Sequence, residues 1–354
     1  MKVLPLYSTI GIIGGGQLGR MLALAAFPLG FKVKIFEPNS PCPAGLITPF
    51  HQSSGYDDEK ALRDFAKSCD VVTFEFENIP IEAARTIAKN TTLFPNPKSL
   101  ELTQDRLVEK NFIQSLGLVV APYMGVDNIA DLEDAVNTIG PSGIIKTRAL
   151  GYDGKGQALI NGYEDARNAW DEIGKKPAIF EGLVNFDFET SIILARGQDG
   201  EIVCFPNSQN IHSGGILRKS IVPAPLNEKQ IEEAKEIGAI IADGLNYVGV
   251  LAVELFVTKT GMVVNEIAPR VHNSGHWTIE GCKTSQFEAH IRAICGLPLG
   301  DMTLNAQNIE MENLIGDEIL SAQTQIGDTD TFVHIYGKEK VKSGRKMGHI
   351  TRLR

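Results

Sequence analysis

The sequence predicts a parallel α/β unit followed by a mixed α+β region. The first prediction rests on apolar runs of strand length that alternate with stretches of helical spacing, because this alternation is typical of a parallel sheet. The strands are expected at 10–13, 32–36 and 70–76, and the helices at 18–25 and 58–67. A Pro-Asn-Pro turn at 95–97 ends this unit.

The region from 99 to 299 differs from the first unit because most of its strands are expected in hairpins. A helix up to Gly117 opens the region, and a further helix is expected at 228–243. Hairpins mixed with helices indicate an α+β arrangement. The expected hairpins pair 191–195 with 201–205 and 248–257 with 262–267. A last segment, from 305, contains an expected strand at 331–336 and then a basic tail.

The composition is that of a folded protein with more than one domain. The chain has 354 residues, of which 43% are hydrophobic, and it carries a formal net charge of −9. At about 150 residues per domain, this length predicts two or three domains. The hydrophobic fraction excludes a disordered chain.

Several features argue against a secreted, membrane or nucleic-acid-binding protein. The longest apolar run, at 21–27, is far shorter than a membrane span of about 20 residues, and the N-terminus lacks the apolar core of a signal peptide. The net negative charge disfavours non-specific binding to nucleic-acid phosphates. Scattered cysteines without a Cys-x-x-Cys pair argue against disulfides or a zinc ribbon. The cysteines are Cys42, Cys69, Cys204, Cys282 and Cys295. We therefore expect a cytoplasmic protein.

A glycine-rich turn near the N-terminus matches the dinucleotide-binding fingerprint. Gly14, Gly16 and Gly19 lie between an expected strand and an expected helix. Glu37 ends the next strand, where a ribose-binding acid would stand. Glycines at a helix N-terminus let backbone N–H groups approach a phosphate. The pattern leaves open NAD, FAD, ATP or a sugar phosphate, and also a tight turn that only packs strand against helix.

A second glycine-rich segment, 151–157, follows an apolar strand that ends at Lys146. It lacks the Gly-Lys-Ser/Thr ending of a Walker loop. Three glycines and Lys155 in a hairpin-like turn are typical of a flap whose amides and ammonium cover a polyphosphate. Lys146 would then hold phosphate oxygens from a second side. A flexible hairpin that binds nothing remains the alternative.

The second expected hairpin brings two carboxylates together. A three-residue turn at 259–261 would pair Thr258 with Met262. In that register Glu254 lies directly opposite Glu266, and opposed side chains have Cβ atoms about 5 Å apart. The two carboxylates would repel each other unless a cation bridged them, and Mg²⁺ is commonly held by one or two carboxylates plus substrate phosphates. A solvated sheet face remains the alternative, since a one-residue slip changes the face.

The loop at 268–276 and the C-terminal segment are both rich in polar or basic residues. Anion or substrate binding through Arg270 is the favoured interpretation of the loop, because polar loops often carry function. His272 and His276 have the spacing of a helical metal pair, but Gly275 makes a helix there doubtful. The C-terminal cations indicate a phosphate pocket or a solvated tail. They are Lys338, Lys340, Lys342, Arg345, Lys346, Arg352 and Arg354.

Together these segments resemble the ATP-grasp superfamily, and within it the N5-carboxyaminoimidazole ribonucleotide synthetase family. The resemblance follows the chain in order over nearly its whole length. Its most specific parts are GYDGKGQ at 151–157 and APRVHNSGHW at 268–277. The other matching segments are GGGQLGRML at 14–22, DRL at 105–107, IKTRAL at 145–150, NIHSGGILR at 210–218, NYVGVLAVELFV at 246–257 and GRKMGH at 344–349.

The resemblance implies an ATP-grasp fold with a Rossmann-like domain at 1–98, an ATP-grasp domain at 99–304 and a small β-rich domain at 305–354. It implies an ADP-forming ligase that makes carboxyphosphate from ATP and bicarbonate and carboxylates the exocyclic amine of 5-aminoimidazole ribonucleotide. Purine biosynthesis by a cytoplasmic homodimer is the expected setting. The expected cofactors are ATP and Mg²⁺, with Mn²⁺ as a substitute, and no nucleic-acid or membrane partner is expected.

By the same resemblance, one group of residues would bind ATP and its metal. Adenine and ribose would lie near 181–184, with Glu189 on the ribose hydroxyls. Glu254 and Glu266 would bind the metal, in agreement with the expected pairing. The full nucleotide set is Arg106, Lys146, Gly151, Tyr152, Asp153, Gly154, Lys155, Gly156, Gln157, Glu181, Gly182, Leu183, Val184, Glu189, His212, Asn265 and Glu266.

A second group would bind the ribonucleotide, which turns the N-terminal glycine fingerprint toward this acceptor instead of NAD. Asp153 is the candidate for proton transfer, beside Tyr152 at the imidazole. The implied catalytic set is Asp153, Tyr152, Lys338 and Arg270. The implied substrate-binding set is Gln17, Leu18, Glu75, Glu77, Tyr152, Arg270, His272, Asn273, Lys338 and Arg345.

One departure and four alternatives accompany the resemblance. Family members usually continue past the GRKMGH segment, whereas this sequence ends at Arg354, so we expect either an abbreviated domain or a truncated sequence. Biotin carboxylase and the formate-dependent glycinamide ribonucleotide transformylase would not be expected to combine Tyr152-Asp153 with HNSGHW. An NAD-dependent oxidoreductase would leave the paired glutamates unexplained, and a non-enzymatic nucleotide sensor would be excluded by activity.

Overall fold

The computed structural model describes residues 3–149, 151 and 155–354, which form one parallel sheet and two antiparallel sheets with helices packed on them. The helices are α1 (Gln17–Ala26), α2 (Glu59–Lys67), α3 (Ile81–Ala88), α4 (Pro97–Thr103), α5 (Arg106–Ser115), α6 (Ile129–Ile139), α7 (Ala166–Glu172), α8 (Glu228–Gly244), α9 (Thr278–Gly281) and α10 (Gln286–Ile294). The strands are β1 (Thr9–Ile13), β2 (Lys32–Phe36), β3 (His51–Gln52), β4 (Val71–Phe74), β5 (Tyr123–Val126), β6 (Gly143–Thr147), β7 (Gln157–Ile160), β8 (Ala178–Gly182), β9 (Phe188–Arg196), β10 (Ile202–Cys204), β11 (Ser208–Ser213), β12 (Ile216–Val222), β13 (Gly249–Thr258), β14 (Gly261–Ala268), β15 (Ile309–Ile315), β16 (Thr331–Ile335) and β17 (Lys346–Leu353).

The N-terminal unit is a parallel sheet with the strand order β3-β2-β1-β4, which confirms the predicted α/β unit. β1 pairs in parallel with both β2 and β4. Ile10 and Ile12 of β1 pack into one core while Ile13 packs into another, as expected for a strand covered on both faces. Because β1 and β4 run in parallel, the glycine turn after β1 and Glu75 after β4 lie at the same edge of the sheet.

A small antiparallel sheet in the order β5-β8-β6-β7 forms a separate lobe. The helices α6 and α7 pack on it, around a core that includes Leu132, Val136, Trp170 and Phe180. The glycine flap connects β6 to β7, and β8 pairs with β6 on the other side. The lobe therefore carries the flap and the strand that contains Lys146.

The large sheet runs in the order β14-β13-β9-β11-β12-β15-β17-β16, with β10 paired to β9. The strands from the expected C-terminal domain continue this sheet through the antiparallel pair β12 and β15. Beyond Lys346 the segment is not a solvated tail, because β17 lies inside the sheet with Met347 and Ile350 buried. Of the two alternatives for the basic C-terminal segment, the solvated tail is therefore excluded for these residues.

Helix α10 joins the N-terminal unit to the large sheet. It packs on β13 and β9 on one side and on α1 on the other. The imidazole of His290 hydrogen-bonds to Thr73 of β4 through Nε2 at 2.8 Å and accepts from the Val250 N–H through Nδ1 at 3.0 Å. This buried histidine links strands of both sheets.

Most predicted elements are confirmed within one or two residues, but two details are wrong. The single helix expected up to Gly117 is two helices, α4 and α5, because Asp105 caps a new helix after Gln104. In the hairpin, Thr258 pairs with Gly261 instead of Met262, so the turn contains two residues instead of three. The cysteines are free thiols, as predicted. Among the described residues, no helix is long and apolar enough to cross a bilayer.

Candidate functional site

The predicted carboxylate pair forms despite the error in the turn. A β-bulge at Asn265 adds one residue to β14 and brings Glu254 opposite Glu266. Bulges of this kind re-aim side chains and occur next to functional sites. The two carboxylates therefore lie side by side on one face of the large sheet, as the spacing predicted.

Helix α5 directs a guanidinium at one member of this pair. Asp105 accepts from the Leu107 N–H at 2.9 Å and so caps the helix. The next residue, Arg106, donates from Nη1 to Glu266 Oε2 at 2.9 Å. Burial raises the pKa of Glu266, but Arg106 and Lys146 outweigh it and hold that pKa well below its usual range. Glu266 is thus an anion at neutral pH.

The other member of the pair, Glu254, has the opposite electrostatic setting. Burial and the neighbouring charge of Glu266 raise its pKa. His272 Nε2 lies 3.5 Å from Glu254 Oε1, but burial and the charge of Arg270 lower the pKa of His272 to about 3. The imidazole is therefore neutral, and an added cation would stabilise the ionised form of Glu254.

The buried Lys110 and the partly buried Lys146 lie on either side of Glu181 in β8. Lys146 Nζ lies 3.2 Å from Glu181 Oε1, and Lys110 Nζ lies 3.3 Å from Oε2. Burial raises the pKa of Glu181, but the two ammonium groups outweigh it, and the net shift is downward. This arrangement gathers positive charge at the edge of the small lobe, next to Glu266.

The glycine flap is described only in part. Tyr152, Asp153 and Gly154 lie outside the described residues, and the predictions for them are not tested by the structure. Thr147 N donates to the Gly156 carbonyl at 2.7 Å. Gly156 has φ +71°, and a Cβ there would lie 2.6 Å from Thr147 Oγ1, so this position requires glycine. The residue after Gly156, Gln157, pairs with Lys146 across the β6–β7 hairpin. The residue before it, Lys155, is exposed.

The predicted adenine and ribose region lies where β8 ends and β9 begins. Leu183, which follows Gly182, is 50% exposed, and its N–H is bound by the Ser142 carbonyl at 3.2 Å. Val184 is partly exposed. Nearby, Phe186 stacks on Phe256 with ring centroids 4.7 Å apart. These residues present an apolar surface next to the charged groups.

The predicted ribose and phosphate residues Glu189 and His212 are partners of each other. His212 Nδ1 lies 2.9 Å from Glu189 Oε2. Burial lowers the pKa of His212, but the hydrogen bond to Glu189 and the charges of Glu254 and Glu189 together outweigh burial, so the pKa is raised. The pair lies on the neighbouring strands β9 and β11, on the side of the large sheet that carries Glu254.

Arg270 and Glu77 join the polar loop to the N-terminal unit. Arg270 Nη2 donates to Glu77 Oε1 at 2.9 Å, and its Nε donates to Oε2. Burial raises the pKa of Glu77, but Arg270 outweighs it and lowers that pKa. Two residues predicted to bind the acceptor therefore meet across the two units.

Two further residues of the polar loop, His272 and Asn273, are held in place by buried polar side chains. His272 Nδ1 lies 2.8 Å from Ser274 Oγ. The amide of Asn273 exchanges hydrogen bonds with that of Asn313 in β15, at 2.9 and 2.8 Å. Asn313 is fully buried. Hence the C-terminal segment orients a predicted substrate-binding residue through a side chain that the sequence did not single out.

The N-terminal glycine turn is occupied by the protein's own carboxylates. Gly16 N donates to Glu75 Oε1 at 2.5 Å and Gly19 N donates to Oε2 at 2.7 Å. Gly15 N donates to Glu37 Oε2 at 3.2 Å. These contacts fill the anion position that the fingerprint predicted for a ligand phosphate. Next to them, Gln17 begins α1 and the Leu18 side chain packs into the core.

The two C-terminal cations predicted to bind substrate, Lys338 and Arg345, lie in the loop that leads into β17. Lys338 Nζ donates to the Lys346 carbonyl at 2.6 Å and lies 5.5 Å from the Tyr336 ring centre. Arg345 Nη1 donates to the Lys340 carbonyl at 3.3 Å. Of this basic segment, Lys346 acts electrostatically on Glu254, His212 and His272. It was not among the predicted site residues.

Sequence reasoning also missed Glu109 and Lys110 on α5. Both side chains are buried beside Glu266 and Glu181. Burial and the charge of Glu266 raise the pKa of Glu109 to about 8. The available signal was helical spacing, since positions three and four after Arg106 share its face.

Family models cover nearly the whole chain. A ribonucleotide synthetase preATP-grasp domain matches residues 7–104, an ATP-grasp domain matches 111–287, and a phosphoribosylaminoimidazole carboxylase C-terminal domain matches 310–354. The resemblance seen in the sequence motifs and the predicted fold class are confirmed by these matches.

Named relatives and solved structures agree with these models. The N5-carboxyaminoimidazole ribonucleotide synthase of Brucella melitensis is 45% identical over 98% of this chain and 96% of its own. The ADP complex of an N5-carboxyaminoimidazole ribonucleotide synthetase superposes with a TM-score of 0.96 at 41% identity, covering 100% of this chain and 94% of that one. The Aspergillus clavatus synthase in complex with ADP and 5-aminoimidazole ribonucleotide has a TM-score of 0.92 at 29% identity, covering 98% and 94%.

Proposed function

The chain belongs to the N5-carboxyaminoimidazole ribonucleotide synthetase family, and on that premise we propose which of its residues bind and activate the reactants. It is an ATP-dependent ligase that carboxylates 5-aminoimidazole ribonucleotide to N5-carboxyaminoimidazole ribonucleotide in purine biosynthesis. We propose in addition the roles of individual residues, the bound metal and the oligomeric state.

ATP lies between the small lobe and the large sheet in this proposal. Adenine packs at 181–184, and Glu189 accepts from the ribose hydroxyls. Arg106, Lys146 and His212 hold the phosphates, and the flap with Gly151, Lys155 and Gln157 covers them. The charges support this arrangement, because cations line one side of the site and phosphoryl transfer requires mainly positioning and charge neutralisation.

Mg²⁺ or Mn²⁺ fits the residues at Glu254 and Glu266. The fit rests on two carboxylates at opposed strand positions and on the raised pKa of Glu254, which an added cation would lower. Asn265 lies at the bulge beside them. When bound, the metal neutralises charge on the transferred phosphoryl group. Arg106 keeps Glu266 ionised and oriented in its absence.

The acceptor ribonucleotide and bicarbonate lie on the other side of the carboxylate pair. Arg270, His272 and Asn273 line this side, and Glu77 orients Arg270 through its two hydrogen bonds. Lys338 and Arg345 approach the phosphate of the acceptor from the loop before β17. Glu75 is assigned to the glycine turn, since amides occupy both of its oxygens.

The reaction proceeds in three steps. A bicarbonate oxygen bonds to the γ-phosphorus as the bond to the β–γ bridging oxygen breaks, giving ADP and carboxyphosphate. The carbon–oxygen bond to the phosphoryl group then breaks and releases CO₂ and phosphate. The exocyclic amine bonds to CO₂ and loses a proton to Asp153 beside Tyr152. The flap excludes water that would hydrolyse the acyl phosphate.

The observation that carries the proposal is the paired Glu254 and Glu266 with Arg106 and Lys146 beside them. It agrees with the family reaction and leaves no support for an NAD-dependent oxidoreductase, since Glu75 occupies the amides of the fingerprint turn. A nucleotide sensor without activity would bind Mg²⁺ and ATP through the same charges, so an activity assay is what excludes it.

Phosphate release from ATP tests the reaction. With Mg²⁺ and bicarbonate, release should increase strongly when 5-aminoimidazole ribonucleotide is added, because the acceptor traps CO₂. The matched control omits bicarbonate. A well-folded protein that shows no ribonucleotide-dependent release would contradict the proposed function.

Asp153 is tested by Asp153→Asn. The amide cannot take the proton from the amine, so the rate of product formation should fall about 100-fold. ADP affinity, measured by calorimetry, should stay within about twofold, since the charges that hold phosphate are unchanged. Retained turnover in Asp153→Asn would remove this residue from proton transfer.

The domain boundaries, the oligomeric state and the cellular location are also proposed. Domain boundaries near 99 and 304 stay a proposal, supported by family-model matches that break between residues 104 and 111 and between residues 287 and 310. A homodimer in the cytoplasm is proposed from the family resemblance. Light scattering of the purified chain tests the dimer, which would double the 38.5 kDa mass of one chain.

A further inference from the structure

Two buried charged residues on α5, Glu109 and Lys110, have no role in the mechanism above. Their exposed fractions are 3% and 2%. Charged side chains are rarely buried unless they are paired. Both lie on the face of α5 that carries Arg106, one helical turn later.

Both side chains bind the backbone of β14 on either side of Glu266. Glu109 Oε1 accepts from the Ile267 N–H at 2.6 Å. Lys110 Nζ donates to the Asn265 carbonyl at 2.7 Å. The residues before and after Glu266 are therefore held by the helix, while Arg106 holds the Glu266 carboxylate itself.

This stretch of β14 needs such support for a physical reason. Within the described residues β14 stands at the end of the large sheet, and its outer edge bridges only to Val120, at Val264, so the groups farther along that edge have no further strand to pair with. The bulge at Asn265 also interrupts the ladder with β13. Buried backbone groups without partners are costly, and side chains of α5 supply the missing partners.

We propose that Glu109 and Lys110 are positioning residues that fix the bulged backbone of β14, so that Glu266 faces Glu254 at the spacing a divalent metal requires. Lys110 also lies 3.3 Å from Glu181 Oε2, which ties the metal carboxylate to the strand that leads to the adenine region. The inference rests on the proposed role of Glu266 as a metal ligand.

Mn²⁺ affinity in the presence of ADP, measured by electron paramagnetic resonance, tests this role. Glu109→Met removes the acceptor and should weaken Mn²⁺ binding about 10-fold, as is usual when the support of a metal ligand is lost. Glu109→Gln keeps a carbonyl acceptor for Ile267 and should restore the affinity to within about threefold. ADP affinity without metal should change little in either variant.

The matched control removes a hydrogen bond to the same strand from another helix, α8. Glu233 Oε1 accepts from the Met262 N–H at 2.8 Å, near the turn of the hairpin. Glu233→Met removes the same kind of hydrogen bond from β14 away from the bulge and should leave Mn²⁺ affinity unchanged. Hydrogen exchange of the Ile267 amide is a second readout and should accelerate in Glu109→Met but not in Glu109→Gln.

Specific results would overturn the inference. One is a Glu109→Met variant that binds Mn²⁺ as tightly as the unmodified chain, and another is an equal loss in Glu233→Met. If Glu109→Met does not fold, Glu109→Asp replaces it, because a carboxylate one methylene shorter also withdraws from Ile267. Glu266→Gln separates the two claims: unchanged Mn²⁺ affinity there refutes the metal site itself, whereas a loss there without one in Glu109→Met refutes only the positioning role.

Discussion

The glycine turn after β1 and the paired glutamates of β13 and β14 both look like ligand sites in the sequence, yet their charges are balanced in different ways. At the turn, the N–H groups of Gly16 and Gly19 already bind the buried carboxylate of Glu75. At the hairpin, Glu254 and Glu266 lie together, and the pKa of Glu254 is raised by burial and by its neighbour.

The difference shows what a motif can and cannot say. The turn is an anion site that the chain fills with its own carboxylate: burial raises the pKa of Glu75, and the two amides act against that rise. The hairpin instead holds two neighbouring carboxylates, whose negative charge an added cation would stabilise. A motif indicates which groups are gathered in one place. Whether a ligand is needed depends on whether the chain supplies the complementary charge.

The largest expected effect is at the hairpin. Glu254→Gln removes one of the two anionic ligands, so Mg²⁺ affinity in the ADP complex and turnover should each fall by about 10- to 100-fold. Steady-state rates at varied Mg²⁺ measure both. Glu233→Gln, on α8, is the control and should behave like the unmodified chain. Unchanged affinity in Glu254→Gln would reject the metal role of the pair.

At the glycine turn, substitution should change stability and leave nucleotide binding intact. In Glu75→Gln the carboxamide can accept from only one of the two glycine amides through its oxygen, so the free energy of unfolding should fall by about 1–3 kcal/mol. Urea unfolding measures the loss, and calorimetry should find ADP affinity within about twofold. A large loss of ADP affinity with unchanged stability would reverse the comparison.

The smallest effect concerns His290, which holds the two regions together. Burial lowers its pKa from the ordinary 6.5 to about 3. Below pH 6.5 the unfolded chain binds a proton that the folded chain excludes, so this residue's contribution to stability is lost as the pH falls from 6.5 toward 3. The slope is about 1.4 kcal/mol per pH unit.

His290→Asn tests that slope, since its oxygen can accept from the Val250 N–H and stays neutral at every pH. Urea unfolding between pH 6.5 and 5 should show a shallower pH dependence in the variant, by about one proton. Equal slopes in the two proteins would mean that His290 is protonated in the folded chain. Other buried histidines contribute to both slopes alike.

Local patterns predicted much of the fold and part of the site. The strand at 32–36 and the helix α8 follow directly from periodicity, and the opposed glutamates follow from hairpin spacing. The predicted pairing was nevertheless wrong near the turn, and the bulge at Asn265 compensated for the error. A bulge has no reliable sequence signal, because it depends on what covers the strand.

The parts that could not be predicted depend on which strands become neighbours. Glu75 reaches the glycine turn because β4 lies beside β1, and Glu109 reaches Ile267 because α5 covers the free side of β14. Asn313 orients Asn273 only because β15 joins the large sheet. Each contact joins residues that are far apart in the sequence, so composition and local residue spacing could not predict it.

The most direct test is an anomalous-scattering map from crystals grown with Mn²⁺ and ADP. We expect a manganese peak bound by Glu254 and Glu266, with the phosphates of ADP beside Lys146. The carboxylate of Glu75 should still accept from the amides of the glycine turn. A manganese peak away from both glutamates, or ADP phosphates on the amides of Gly16 and Gly19, would contradict this expectation.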